Sequence, residues 1–189
     1  MGSSEITYNL DYHFDENLRE VPVSRTDMLC YVKHLKSRSE QICENDEELA
    51  GTYSLIGVYS RMLGHMEDSK KYLRLAIGMN NRSGDLERLF VNELRLAYAY
   101  QWEHDYLRSN ELFEKLMVQS ETDREHRIYQ DFVYQHHGKN LFDQGDYQSA
   151  LTYFERALGI RQEKANEELI DSTEFAIRIC KEKIRQGKG

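Results

Sequence analysis

Apolar residues recur at three- and four-residue spacings through most of the chain. Ala150, Phe154 and Ala157 give a small-large-small stripe at spacings of four and three, one face of a helix. This periodicity predicts helices near 25–43, 46–63, 67–80, 85–103, 106–119, 123–143, 147–164 and 167–186. Asn166 is a good N-cap for the last of these, and Glu167 and Glu168 suit its macrodipole. Thr122 with Glu125 reads as a capping box opening the 123–143 helix. The first helix carries Met28, Leu29, Tyr31, Val32, Leu35 and Ile42 and is expected to close one end of the array. The last has a polar outer face (Arg178, Lys181, Lys183, Arg185), as a terminal helix requires.

Residues 5–15 break this rule. Ile6, Tyr8, Leu10, Tyr12 and Phe14 alternate with polar residues, which is a strand period. Residues 1–22 also hold five acids (Glu5, Asp11, Asp15, Glu16, Glu20) against Arg19. Three arrangements of this arm stay open: packed on the first helices or disordered, seated in a groove of the array as an acidic aromatic pseudo-ligand, or strand-paired between two chains.

Three segments align without gaps on a short turn signal. The first runs Tyr53, Ile56, Gly57, then Leu63, Gly64, Ser69, Leu73 and Ala76. The second runs Leu96, Ala97, Tyr98, Tyr100, then Glu103, His104, Asp105, Ser109, Phe113 and Leu116. The third runs Tyr134, His137, Gly138, Leu141, then Gln144, Gly145, Asp146, Ala150, Phe154 and Ala157. Gly64, His104 and Gly145 hold equivalent places, which sets a period of 40 to 41 residues. Gly57 and Gly138 lie mid-helix, where glycine costs about 1 kcal/mol relative to alanine. A neighbouring helix packed against bare backbone explains that cost.

The pattern resembles the tetratricopeptide repeat (TPR), W-x2-L-G-x2-Y followed by A-x3-F-x2-A. Tyr134 stands in the Trp slot, His137 in the Leu slot and Gly138 in the Gly slot. Ser60 replaces the Tyr in the first segment, Ala97 the Gly in the second, and Ser69 and Ser109 the first Ala of the second helix. The resemblance covers roughly residues 45–187. The usual repeat-ending proline is absent and each repeat is six or seven residues longer, as in the longer TPR class of kinesin light chains and Rap-type peptide regulators. It implies an all-α, right-handed α-solenoid of antiparallel helix pairs. The arm would span 1–22, a flanking helix 23–44, three repeats 45–166, and a capping helix and tail 167–189.

Composition narrows the class. The chain has 189 residues, 31% charged and 40% hydrophobic, with Pro22 its single proline where average usage would give roughly nine. Thirteen tyrosines fall mostly in repeat-core slots such as Tyr53, Tyr100, Tyr134 and Tyr153. A net charge of -8 argues against general nucleic-acid binding. Cys30, Cys43 and Cys180 fit no zinc spacing and read as reduced, buried thiols. No leader and no membrane span is recognisable, so a cytoplasmic protein is expected.

No catalytic, metal or cofactor motif is present, and a non-catalytic protein is expected. His126, His136 and His137 do not make a ligand set, because adjacent helical residues point about 100° apart. The resemblance implies a working groove lined by the first helix of each repeat: Ser54, Val58 and Arg61; Arg95, Tyr98, Gln101 and Trp102; Gln135, His136, Lys139 and Phe142. Three cations among aromatics and amides suit a protein or peptide bearing acidic and apolar side chains. Chaperone-tail carboxylate clamps of this family use Lys and Asn, then Asn, then Lys and Arg where this chain has Ser54 and Val58, Arg95, then Phe132 and His136, so that ligand is not expected. A self-associating or autoinhibited module using the arm is the alternative.

Overall fold

A computed structural model describes residues 7–43 and 45–187; the start of the alternating arm, Glu5 and Ile6, lies outside them. Among the described residues two short strands, β1 (Tyr12–Phe14) and β2 (Glu20–Pro22), precede eight α-helices: α1 (Arg25–Ser39), α2 (Asp46–Met62), α3 (Met66–Ser83), α4 (Leu86–Trp102), α5 (Tyr106–Thr122), α6 (Gln130–Asp143), α7 (Tyr147–Glu163) and α8 (Glu167–Gln186). The fold is all-α, helices packing in consecutive pairs, most extensively α2–α3 and α6–α7, then α7–α8 and α4–α5. Tight turns within each pair force the two helices antiparallel. The chain divides into two compact units, Met1–Asp85 and Leu86–Gly189.

In the first unit the core is Met28, Val32 and Leu35 of α1 against Ile56, Met62 and Leu63, with Tyr31, Tyr53 and Tyr72 partly buried around it. A Cβ built on Gly57 would lie 2.5 Å from Leu73 Cγ, so α3 rests on bare α2 backbone. In the second unit Phe90, Leu94 and Ala97 of α4 pack with Phe113, Leu116 and Val133. A Cβ on Gly138 would meet Phe154 Cε1 at 2.7 Å, the same contact as Gly57 with Leu73. Ala97, in the equivalent slot of the middle repeat, is fully buried and keeps its Cβ.

The aligned turn signal has a single backbone cause. Gly64 (φ 78°), His104 (φ 62°) and Gly145 (φ 82°) all adopt the left-handed conformation. Each donates its N–H to a carbonyl three residues back, and the next residue donates to one five back, for example Gly145 to Phe142 and Asp146 to Leu141. This is the helix-terminating motif that favours glycine. Asp105 and Asp146 then cap the following helices, accepting from the Arg108 and Ser149 amides. His65, in the same position of the first repeat, makes no such side-chain bond.

Helix bounds fall close to those expected, with two corrections. The first helix stops at Ser39 instead of 43, which leaves Ile42 and Cys43 in the connection. The capping box at Thr122 does not form. Thr122 is the last residue of α5, and its hydroxyl donates to the Val118 carbonyl of its own helix. Asp123 instead accepts from the His126 ring, and the helix expected from 123 starts only at Gln130, after a 3-10 turn, His126–Tyr129. All three cysteines are free thiols, as expected, but only Cys180 is buried, and burial pushes its pKa up to about 11; Cys30 and Cys43 are exposed.

The arm forms a hairpin on its own chain. β1 pairs antiparallel with β2, Tyr12 opposite Pro22 and Phe14 opposite Glu20. Asp15 closes the turn, its carboxylate accepting from the Asn17 and Arg19 amides. Leu10 packs on the first core, and the Tyr8 ring lies 5.2 Å from that of Tyr31. The alternation does not extend through the arm, for Tyr12 is exposed and Leu18, in a left-handed conformation, is the buried apolar anchor.

Candidate functional site

The expected groove residues fall on two faces, one in each unit. In the first unit Ser54, Val58 and Arg61 lie on α2, with Ser54 and Arg61 buried and Val58 half-buried. Arg61 is not open to solvent. Its guanidinium donates to both Glu20 carboxylate oxygens, at 2.9 and 3.5 Å, and both residues are about 94% buried. The hairpin thus delivers an acid to the first of the three expected cations. Position 20 carried no marker for this in the sequence beyond its negative charge.

In the second unit α4 and α6 lie side by side. The Tyr98 ring is 4.4 Å from that of His136 and edge-on to that of Trp102 at 6.1 Å. Lys139 Nζ donates to the Tyr98 hydroxyl at 3.2 Å and sits 5.3 Å from its ring centre. Gln101 donates through its amide nitrogen to Asp143 at 3.0 Å, which leaves its oxygen as the other pole. Tyr98, Gln101, Gln135, Lys139 and Phe142 are buried, whereas Arg95, Trp102 and His136 are half-buried. Phe142 turns toward α7, its ring edge-on to Tyr147 at 5.1 Å, and serves helix packing. The residues brought together are Tyr98, Trp102, His136 and Lys139, joined by Gln101 with Asp143, an acid absent from the expected set.

His126 and His137 serve helix packing. His126 stacks on Phe90 at 4.6 Å, and His137 meets Phe113 and Tyr153 at 5.5 and 4.6 Å. Burial pulls the His137 imidazole down to about 4. Among the described residues no group of three His, Cys, Asp or Glu side chains could hold a metal ion. No helix among them is long and apolar enough to cross a membrane.

A buried ionic cluster fixes the C-terminal helices. Asp131 of α6, fully buried, accepts from Arg161 Nε at 3.0 Å and Lys164 Nζ at 2.5 Å. Arg161 also donates to the Leu169 carbonyl and the Thr173 hydroxyl, which ties α7 to the first turns of α8. Its burial lowers the guanidinium pKa while the Asp131 carboxylate opposes that shift.

Residues 133–164 match the family described as tetratricopeptide repeat. No curated protein matches the sequence. Two solved structures share the architecture. One is BtubC (BKLC) from P. vanneervenii, 17% identical, TM-score 0.57, covering 87% of this chain and 76% of that one. The other is a putative kinesin light chain with nearly identical TPR-like repeats from Podosopora anserina, 13% identical, TM-score 0.59, covering 85% and 80%. At these identities the likeness is one of fold.

Proposed function

From an all-α array that carries a tetratricopeptide repeat, a class of protein-interaction scaffold, we propose that this chain is a non-catalytic module binding a protein segment on the α4–α6 face. The supporting observation is the cluster of Tyr98, Trp102, His136 and Lys139, with the half-buried Arg95 three residues before Tyr98 on the same face of α4. The half-buried Trp102 and His136 offer apolar contact area, and a positive charge on the same helix face suits a partner that carries acidic side chains. The partner chemistry that fits is a peptide with acidic and apolar side chains. Buried Tyr98, Gln101, Gln135 and Lys139 form the floor; Arg95, Trp102 and His136 make the contact. Ser54, Val58 and Arg61 form the corresponding face of the first unit.

Panning a displayed peptide library on the full chain tests this. Enriched acidic-apolar peptides should lose at least about tenfold in affinity on Arg95→Ala or Trp102→Ala. Unchanged affinity in both variants would move the site elsewhere.

One observation favours a second reading, in which the arm acts as an internal acidic ligand of the first repeat. Glu20 already occupies Arg61. If so, Glu20→Gln increases peptide capture by the first unit's face. Unaltered capture, with the fold intact by circular dichroism, assigns the hairpin to structure alone.

A further inference from the structure

The exposed face of α8 carries a charge pattern of which the fold uses little. Glu167, Asp171, Glu174, Arg178, Lys181 and Arg185 are all exposed. They follow one another at spacings of four, three, four, three and four, so they form one stripe along the helix. Thr173, Ala176, Ile177 and Cys180 form the buried side against the rest of the unit. The first three positions of the stripe are acids and the last three are bases. Because the spacing reads the same in both directions, reversing the helix puts every acid opposite a base.

The helix macrodipole explains part of this, since it favours acids in the first turn and bases in the last. Its reach is limited to those turns. It accounts for Glu167 and Arg185 but not for Asp171, Glu174, Arg178 and Lys181. Internal pairing is modest: Lys181 lies 3.5 Å from Glu155 with both side chains about half exposed, and Arg178 sits over the Phe175 ring at 5.1 Å. Beside the stripe runs an open groove of about 380 Å³ between α7 and α8, floored by Leu158 and Ile177.

We propose that this face is a homodimer contact, α8 of one protomer lying antiparallel on α8 of a second copy about a two-fold axis between positions 174 and 178. Glu167 then faces Arg185, Asp171 faces Lys181 and Glu174 faces Arg178, each pair formed twice, and the groove floor receives the flank of the partner's helix. A uniformly acidic or uniformly basic partner meets the wrong sign along half of the stripe. A parallel second copy sets like against like throughout. Of these partners the reversed copy alone matches every position. Peptide binding on the α4–α6 face is not required for it.

The dimer is weak and salt-sensitive, because its pairs are exposed. Sedimentation equilibrium of the full chain at concentrations up to about 1 mM, at low salt, should show a monomer–dimer equilibrium whose Kd rises about tenfold or more in 0.5 M salt. The combined variant Glu167→Lys, Asp171→Lys, Glu174→Lys and the combined variant Arg178→Glu, Lys181→Glu, Arg185→Glu should each be monomeric. An equimolar mixture of the two should form a heterodimer. Should either lose helicity by circular dichroism, the mid-helix changes Glu174→Arg and Arg178→Glu take their place: each alone weakens the dimer and their mixture restores it. A wild-type chain that stays monomeric throughout overturns the proposal. So does a dimer indifferent to the reversals, or a mixture that fails to associate.

Discussion

His137 occupies the leucine slot of the third repeat, and its replacement by leucine should make the protein resistant to acid. The imidazole is 93% buried between Phe113 and Tyr153, and its Nδ1 has no hydrogen-bond partner. Burial lowers its pKa to about 4, against about 6.5 in an unfolded chain. Between those values the unfolded chain binds a proton that the folded one refuses. Stability is therefore complete above pH ~6.5 and falls as the pH drops toward ~4. The loss amounts to about 2–3 kcal/mol by pH ~4.5, at about 1.4 kcal/mol per unit of pKa difference. Urea unfolding of wild type and His137→Leu at pH ~7.5 and ~4.5 isolates the effect, because other titrating groups are common to both proteins. The stability difference should shift in favour of His137→Leu by that amount on acidification. Parallel pH profiles for the two proteins would show that His137 is not held neutral by burial.

Three further changes probe the repeat scaffold. Asp131→Ala leaves Arg161 buried without its carboxylate and should cost about 3–5 kcal/mol, with amide exchange rising first in α8. Gly138→Ala drives a methyl into the Phe154 ring and should cost about 1–3 kcal/mol in urea unfolding. His104→Gly should raise stability by about 1 kcal/mol, since the left-handed backbone at this turn costs any residue with a Cβ; the His104 contact to the Tyr106 hydroxyl opposes part of that gain.

The repeat was legible because its cause is local and recurrent. A left-handed turn every 40 to 41 residues leaves Gly64, His104 and Gly145 in register, and bare-backbone contacts leave Gly57 and Gly138 mid-helix. His104 shows why register says more than residue identity: histidine occupies the same conformation as the two glycines. The candidate site was legible only in outline. Helical spacing placed Tyr98, Trp102, His136 and Lys139 on adjoining faces, but it could not say that Lys139 turns onto the Tyr98 ring or that Phe142 turns toward Tyr147. Glu20 with Arg61 joins positions 41 apart through a hairpin whose turn, Asp15 to Arg19, follows no alternating pattern. The capping box failed because Thr122 satisfies its own helix, a choice that two polar residues in sequence leave undetermined.

Trp102 is the sole tryptophan of the chain and stands on the proposed binding face, so its emission reports directly on occupancy. Titrating the full chain with an enriched acidic-apolar peptide should shift and saturate that emission. The same titration on Arg95→Ala should need at least about tenfold more peptide. A peptide that binds by calorimetry while leaving Trp102 emission unchanged, with equal affinity for Arg95→Ala, would contradict the assignment of the α4–α6 face.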